Sequence, residues 1–388
     1  MGSDLITLMK TIVVFAGTRP EIIKMAPIVR ELRRRQSALH EPGWQVHFCF
    51  SGQHAELAIP FLEYFGIEPD SRLDLMNAGQ SLGQLTSRAF AKIDNFLAEQ
   101  RQICATLVQG DTTTAFVAAQ TSFYHRIPVA HVEAGLRTST ISEPFPEELN
   151  RRLISRIATW HYAPTPMAKQ LLLREGLPED SIEITGNTGI DALLYAADRS
   201  LAPDIDVLKG LVGKRLVLVT THRRENIGAP LLAIVESLVI LAKKYPQIHF
   251  VLPVHRNPEV ARIVTSRLSG IENFHLVAPL SYGDLVWVMK SAEIILTDSG
   301  GIQEEAPSMA KPVLVLRTET ERPEAIEFGT SIIVGANSEK IVSIASEFLS
   351  GRRVLHIKTG PNPYGDGVAA GRIADHLLPS LGLAKARA

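Results

Sequence analysis

TIVVFAGTRPEIIKMAP, residues Thr11–Pro27, decides the fold. Its apolar, β-branched opening, Thr11–Ala16, reads as a buried strand. Gly17 turns the chain. Pro20 suits the first helical positions, where a missing N–H costs little. Apolar residues then recur at helical spacing, which predicts a helix over Glu21–Arg35. A buried strand running straight into a helix is the opening half of a βαβ unit. The same rhythm predicts strands at Gln45–Ser51, Ala105–Gln109, Pro128–Val132, Trp160–Ala163 and Ile182–Thr185, with helices over Ser81–Glu99, Thr112–His125 and Glu147–Ile157. It restarts after a polar, proline-containing stretch, Asp198–Val207. Strands follow at Arg215–Thr220, His249–Leu252, Phe274–Val277, Glu293–Thr297 and Pro312–Leu316, with helices over Pro230–Lys244, Glu259–Ser269, Tyr282–Lys290 and Ser338–Ser350. The expected architecture is α/β: two Rossmann-like domains joined near residue 200. Open sheets of this kind bind ligands beyond the carboxyl ends of their strands, so the two domains are expected to face a cleft.

Composition narrows the function classes. At 388 residues, 45% hydrophobic and 21% charged, the chain suits two or three folded domains rather than a disordered polymer. Forty Lys plus Arg against 41 Asp plus Glu leave a net charge of −1. That balance gives no basic excess for nucleic acid. Cys49 and Cys104 cannot build a disulfide framework or a four-cysteine zinc site, and both lie in apolar runs that predict buried, reduced thiols. The longest apolar helical pattern, LLAIVESLVILA, is too short to span a bilayer, and MGSDLITLMK lacks a signal-peptide core. A cytoplasmic protein without membrane insertion is expected. HxxxH, HExxH and CxxC are absent, as is an opening GxGxxG, so neither metal nor NAD is expected.

The polar motifs fall at predicted strand ends. Arg19 and Lys24 flank a helix N-terminus, which attracts anions through free N–H groups and the macrodipole. Diphosphate binding and an ordinary capped helix with solvated charges both fit them. In LTDSGGIQEEAP, Leu296–Pro307, Ser299 suits a helix cap, and Gly300 and Gly301 allow close backbone approach to a ligand. Glu304 and Glu305 suit either ribose hydroxyls or the helix dipole. VTTHRRENIG, Val219–Gly228, places His222 and Arg223 after a strand, as a diphosphate clamp or a solvated basic turn. His255 of PVHRNP repeats that arrangement one strand later. Asp111 in QGDTTTA, Glu133 in HVEAGLRT and Glu147 in PFPEELNRR are acids at strand or helix starts. One such acid is usually a cap or a surface charge. Three in one domain point to proton transfer, which needs acids in separately tuned environments.

These motifs, in this order, resemble the non-hydrolysing UDP-N-acetylglucosamine 2-epimerases. GTRPEIIKMAP, GQH (Gly52–His54), QGDTTT, HVEAGLRT, PFPEELNR, ITGNTGID, THRREN, PVHRNP, TDSGGIQEEAP and ERPEA all take part, and the match runs from Thr11 to NPYGDG, Asn362–Gly367. The resemblance implies the glycosyltransferase-B fold, a homodimer, and no cofactor. It implies an N-terminal domain over residues 1–200 with a last helix, 367–388, packed back on it, and a UDP-binding domain over 201–366. It implies interconversion of UDP-N-acetylglucosamine and UDP-N-acetylmannosamine through elimination and return of UDP. Asp111, Glu133 and Glu147 then match the acid–base carboxylates. Arg19, Lys24 and His222 match diphosphate and leaving-group contacts, Ser299, Gly300 and Gly301 the phosphate turn, and Glu305 the ribose ligand. Many family members also bind a second, activating UDP-N-acetylglucosamine. Gln53 and His54 match that site, and Glu148, Arg223 and His255 fit it. Glu56 stands where glutamine is common and Gly79 where arginine is frequent, so activation stays open. Hydrolysing relatives tend to carry His-Pro where this chain has His222-Arg223. A hydrolysing epimerase, a UDP-sugar glycosyltransferase and a non-catalytic UDP-sugar sensor are the alternatives.

Overall fold

A computed structural model describes residues 9–40, 43–53, 55–77, 79–221, 223, 226–255, 257–320, 322–358 and 360–383. His54 and His222 lie outside these described residues. Among them, two all-parallel sheets form from the Val- and Ile-rich runs. The first holds β1 (Lys10–Ala16), β2 (Trp44–Phe50), β3 (Ser71–Arg72), β4 (Ile103–Gln109), β5 (Val129–Val132), β6 (Trp160–Ala163) and β7 (Ile182–Ile184), in the order β3-β2-β1-β4-β5-β6-β7. The second holds β8 (Arg215–Thr220), β9 (Ile248–Pro253), β10 (Phe274–Val277), β11 (Ala292–Thr297), β12 (Val313–Val315) and β13 (Ser331–Ile333), in the order β10-β9-β8-β11-β12-β13.

Both sheets are doubly wound, so the chain carries two Rossmann-like domains. In each, strand order reverses beside the first strand, at β1/β4 and at β8/β11. Such switch points open a crevice at the carboxyl ends of the strands. The loops after β1, β4, β8 and β11 carry the GTR, QGD, THRREN and DSGG motifs.

The chain divides into two compact units, Met1–Ala192 with Gly365–Ala388, and Leu193–Tyr364. The first passage between them falls inside the helix Thr188–Arg199 rather than in a loop. In unit 1, β1 is buried along Thr11–Ala16 and the helix Arg19–Ser37 lays Ile22, Met25, Ala26, Val29 and Leu32 inward at helical spacing. Phe15 meets Phe96 edge to face, with ring centroids 5.9 Å apart. Unit 2 has its own core, where Val217, Phe250, Ile294 and Leu314 from four strands pack with Ile234 and Leu238 of the helix Ala229–Lys244. Each such side chain contributes about 1.5–3 kcal/mol on leaving water.

The cysteines depart in part from expectation. Cys49 is buried and burial pushes its thiol well up, but Cys104 is only half-buried, with its Sγ 3.4 Å from the Thr11 carbonyl oxygen. It sits at the start of β4, where the sheet has not yet closed over it. Among the described residues no helix is long and apolar enough to cross a membrane.

Candidate active site

In unit 1 the site is built on the turn after β1. Gly17 is required there: a Cβ would lie 1.7 Å from the Oγ of buried Ser51. Thr18 takes the extended cap conformation, and Glu21 reaches back to it. The Glu21 carboxylate is 1% exposed. Its Oε2 accepts the backbone N–H groups of Gly17 (3.0 Å) and Thr18 (2.8 Å), and its Oε1 accepts the Thr112 hydroxyl (2.7 Å). Burial pushes its acidity down, while these bonds oppose that shift. One buried carboxylate thus fastens the turn that presents Arg19 to the loop that presents Asp111. Arg19 itself is exposed, its guanidinium carbon 5.8 Å from the Phe61 ring centroid.

The Asp111 loop is held at several further points. His131, fully buried on β5, faces the Gly110 carbonyl with Nε2 at 2.8 Å and therefore donates to it. Desolvation keeps that imidazole neutral, its pKa pushed down to about 3. Asn150 Nδ2 donates to the Asp111 carbonyl at 2.8 Å, and Arg151 donates to its carboxylate. Surrounding protein raises the Asp111 pKa; Arg151 works against that rise, and the nearby charges of Glu133 and Glu147 add to it.

Glu133 follows β5 in a left-handed conformation, φ 62°, which a non-glycine residue adopts at a cost. Lys24 and Gln109 donate to its carboxylate, and Asn187 Nδ2 does so at 3.2 Å. An ionised carboxylate can accept all three donors. Glu147 opens the helix Glu147–Ile157 directly after Pro146. With Asn150 and Arg151 at i+3 and i+4 it shares one helix face. Unit 1 therefore brings together Asp111, Glu133, Glu147 and Lys24. Gln53 is held separately, by Thr114, whose hydroxyl donates to Gln53 Oε1 at 2.9 Å and also meets Ser51 Oγ at 2.9 Å. Glu148 does not present a free carboxylate: it is fully buried, with Arg152 Nε at 2.6 Å, Arg151 Nη1 at 3.3 Å and the Thr138 N–H at 3.1 Å.

In unit 2 the organising group is Asp298, 0% exposed at the end of β11. Its Oδ2 accepts the Thr221 hydroxyl (3.2 Å), the Arg223 backbone N–H (3.0 Å) and Asn226 Nδ2 (3.0 Å). The THRREN and DSGG motifs are thereby locked side by side. Ser299 occupies the cap position of the helix Gly300–Glu305 and makes no side-chain cap bond. A Cβ on Gly300 would lie 3.0 Å from the Arg322 guanidinium carbon. Arg322 is fixed by Glu304, with Nε 2.8 Å from Oε1. Gly301 is exposed; Glu305 is half-buried and Tyr282 Oη approaches its Oε1 at 3.5 Å. His255 is exposed and accepts the Asn257 N–H at 3.2 Å.

Sequence reasoning passed over Glu21, Gln109, His131, Asn150, Arg151, Asn187, Asn226, Asp298 and Arg322. Glu21 carried one signal: Thr18-x-x-Glu21 is a capping-box pattern. The others act on partners far away in the chain.

The chain matches the family model for UDP-N-acetylglucosamine 2-epimerase over residues 37–378. It is 45% identical over 373 residues to a UDP-N-acetylglucosamine 2-epimerase of Yersinia pestis, covering 94% of this chain and 97% of that one. The crystal structure of UDP-GlcNAc 2-epimerase from Neisseria meningitidis bound to UDP-GlcNAc superposes with a TM-score of 0.85 at 41% identity, covering 96% of this chain and 100% of that one. The S. aureus MnaA–UDP co-structure superposes at 0.86 and 39% identity, covering 97% and 98%.

Proposed function

Because this chain belongs to the UDP-N-acetylglucosamine 2-epimerase family, we propose that it is a non-hydrolysing epimerase interconverting UDP-N-acetylglucosamine and UDP-N-acetylmannosamine. The C2 proton of the sugar is not next to a carbonyl and resists direct removal. Anti elimination solves this. A base takes the C2 proton, the C1–O bond breaks toward UDP, and 2-acetamidoglucal remains. Protonation of C2 on the opposite face and return of UDP to C1 give the epimer. The proton and UDP both leave and both return, so no redox step is required.

The observation that carries this reading is the grouping of Asp111, Glu133 and Glu147 around Lys24 and Arg151 in unit 1. Exchange of a proton between two faces needs acids in unlike settings. Asp111 is crowded by two other acids and answered by one guanidinium, whereas Glu133 takes three N–H donors. In this reading Arg19, Lys24 and His222 stabilise the departing diphosphate, with Arg223 and His255 supporting it. Ser299, Gly300 and Gly301 hold the phosphates and Glu305 the ribose. A single preorganised donor of this kind is worth about 10²–10³ in rate. The enzyme would serve as a cytoplasmic homodimer supplying cell-surface polysaccharide synthesis.

The test is NMR of the protein with UDP-N-acetylglucosamine in heavy water. Deuterium is expected at C2 of both epimers with the UDP-sugar conserved. Accumulation of free N-acetylmannosamine and UDP would assign it to the hydrolysing branch instead. UDP-sugar binding without C2 exchange would leave only a sensor.

A further inference from the structure

Glu148 was a candidate ligand for a second substrate molecule, yet its side chain is 0% exposed. Both oxygens are committed: Oε1 to Arg152 Nε at 2.6 Å, Oε2 to the Thr138 N–H at 3.1 Å and to Arg151 Nη1 at 3.3 Å. Arg152 and Thr138 already supply a charge and a backbone donor to it. Arg151 is therefore in excess of what Glu148 alone requires. Its other terminal nitrogen, Nη2, donates to Asp111 Oδ2. The side chain is 12% exposed and that of Asp111 23%. Its neighbour Asn150 fixes the Asp111 carbonyl at 2.8 Å. One turn of helix thus grips both the backbone and the carboxylate of Asp111.

We propose that Arg151 is a positioning residue for the proposed reaction: a guanidinium braced by buried Glu148 that sets the orientation and charge state of the proton-transferring Asp111. The inference rests on the epimerase reading, which supplies Asp111 with its task. The planar fork of arginine suits this bridge, since two carboxylates can be met by two parallel nitrogens. Glu148 acts at one remove, by holding the fork.

Among the described residues, the charged groups facing Asp111 are Arg151 and Glu147 from the helix Glu147–Ile157 and Glu133 from the end of β5. Lys24, from the helix Arg19–Ser37, is engaged by Glu133. His131 meets the preceding carbonyl and is neutral. Among the described residues Arg151 is thus the cation that answers Asp111 directly. An arginine beside an aspartate lowers its pKa by about 1–3 units, so its loss moves Asp111 upward against two acidic neighbours.

The experiment compares kcat, KM and C2–deuterium exchange across pH for wild type, Arg151→Gln, Arg151→Lys, Asp111→Asn and the Asp111→Asn/Arg151→Gln pair. Arg151→Gln is expected to lower kcat by about tenfold to hundredfold, to leave KM within about twofold, and to move the pH limb governed by Asp111 upward by about one unit or more. Arg151→Lys keeps the charge and should hold that limb closer to wild type. In the Asp111→Asn background, loss of Arg151 should cost almost nothing more, because its effect passes through Asp111. Where the Gln variant does not fold, Arg151→Met, which also removes the charge, makes the same comparison in that background. A slower Arg151→Gln enzyme with an unmoved limb overturns the inference. So does a double variant whose loss is the product of the two single losses. A wild type with no C2 exchange would remove the epimerase reading and this inference together. A wild type that exchanges, beside an unmoved variant, would remove this inference alone.

Discussion

The C-terminal helix Ala369–Ser380 begins without a cap of its own: Val368 stands at the cap position and offers no side-chain acceptor. Asp191 does that work from 178 residues upstream, accepting the N–H groups of Ala369 (3.2 Å) and Ala370 (2.8 Å). Burial raises its pKa from 3.8 to about 6 although these bonds pull it down, and Asp366 nearby adds to the rise. A folded-state pKa above the unfolded value means that the docked helix holds a proton the released chain gives up. Below pH 4 both states are protonated and the group is neutral in its effect. Between pH 4 and 6 the released state ionises first, so docking weakens as pH rises. Above pH 6 the loss levels off at about 2.2 units, or about 3 kcal/mol at most. Amide hydrogen exchange of residues 370–380 from pH 4.5 to 7.5 in wild type and Asp191→Asn reads this directly, after correction for intrinsic exchange. The pairs Asp366–Arg372 and Asp375–Arg35 are common to both proteins and cancel in the difference. Wild-type protection should fall relative to the Asn variant by about 25-fold across that window, the rest of the loss lying below pH 4.5. A difference that is flat, or that grows with pH, would refute the assignment.

Two variants probe the buried carboxylates that organise the loops. Glu21→Gln can still accept from Gly17 and Thr18 through oxygen and donate to Thr112 through nitrogen, whereas Glu21→Ala leaves one buried and two half-buried donors unmet, at up to about 1–3 kcal/mol each. Calorimetry with UDP should therefore show weakened binding and a lowered Tm for the alanine variant and near wild-type values for the glutamine one; equal losses in both would point to the charge rather than the geometry. Asp298→Ala releases Thr221, Arg223 and Asn226 together, so UDP affinity should drop by about tenfold or more. Unchanged UDP affinity there would separate the THRREN loop from nucleotide binding.

How much of this was legible in the sequence depends on distance along the chain. β1 and β8 stand out because β-branched runs end at glycine or threonine punctuation, and β6, β10 and the helix Glu147–Ile157 match their sequence limits end for end. β3 is only Ser71–Arg72 and β13 only Ser331–Ile333, too short for any alternation to register. Asp111, Glu133 and Glu147 could be singled out as candidates because a doubly wound sheet makes the strand-end loops themselves informative. The groups that hold them were not, since Arg151 meets Asp111 across 40 residues and Asn187 meets Glu133 across 54. No local pattern encodes such a pairing.

Glu147 and Glu148 sharpen the point. As adjacent acids at a helix start they look alike in sequence, and the dipole favours both. A step of one residue turns a helix by about 100°, so their environments diverge. Glu147 stays half-buried on the face it shares with Asn150 and Arg151, while Glu148 is turned into the protein against Arg152 and Thr138. Arg151 lies three residues from one and four from the other, and its terminal nitrogens reach Glu148 on one side and Asp111 on the other. In the proposed reaction the same two-letter acid pair therefore holds one side chain assigned to chemistry and one that braces its neighbour. Which is which follows from helix phase and from a partner contributed by a different strand-end loop, and neither is a property of the residue type.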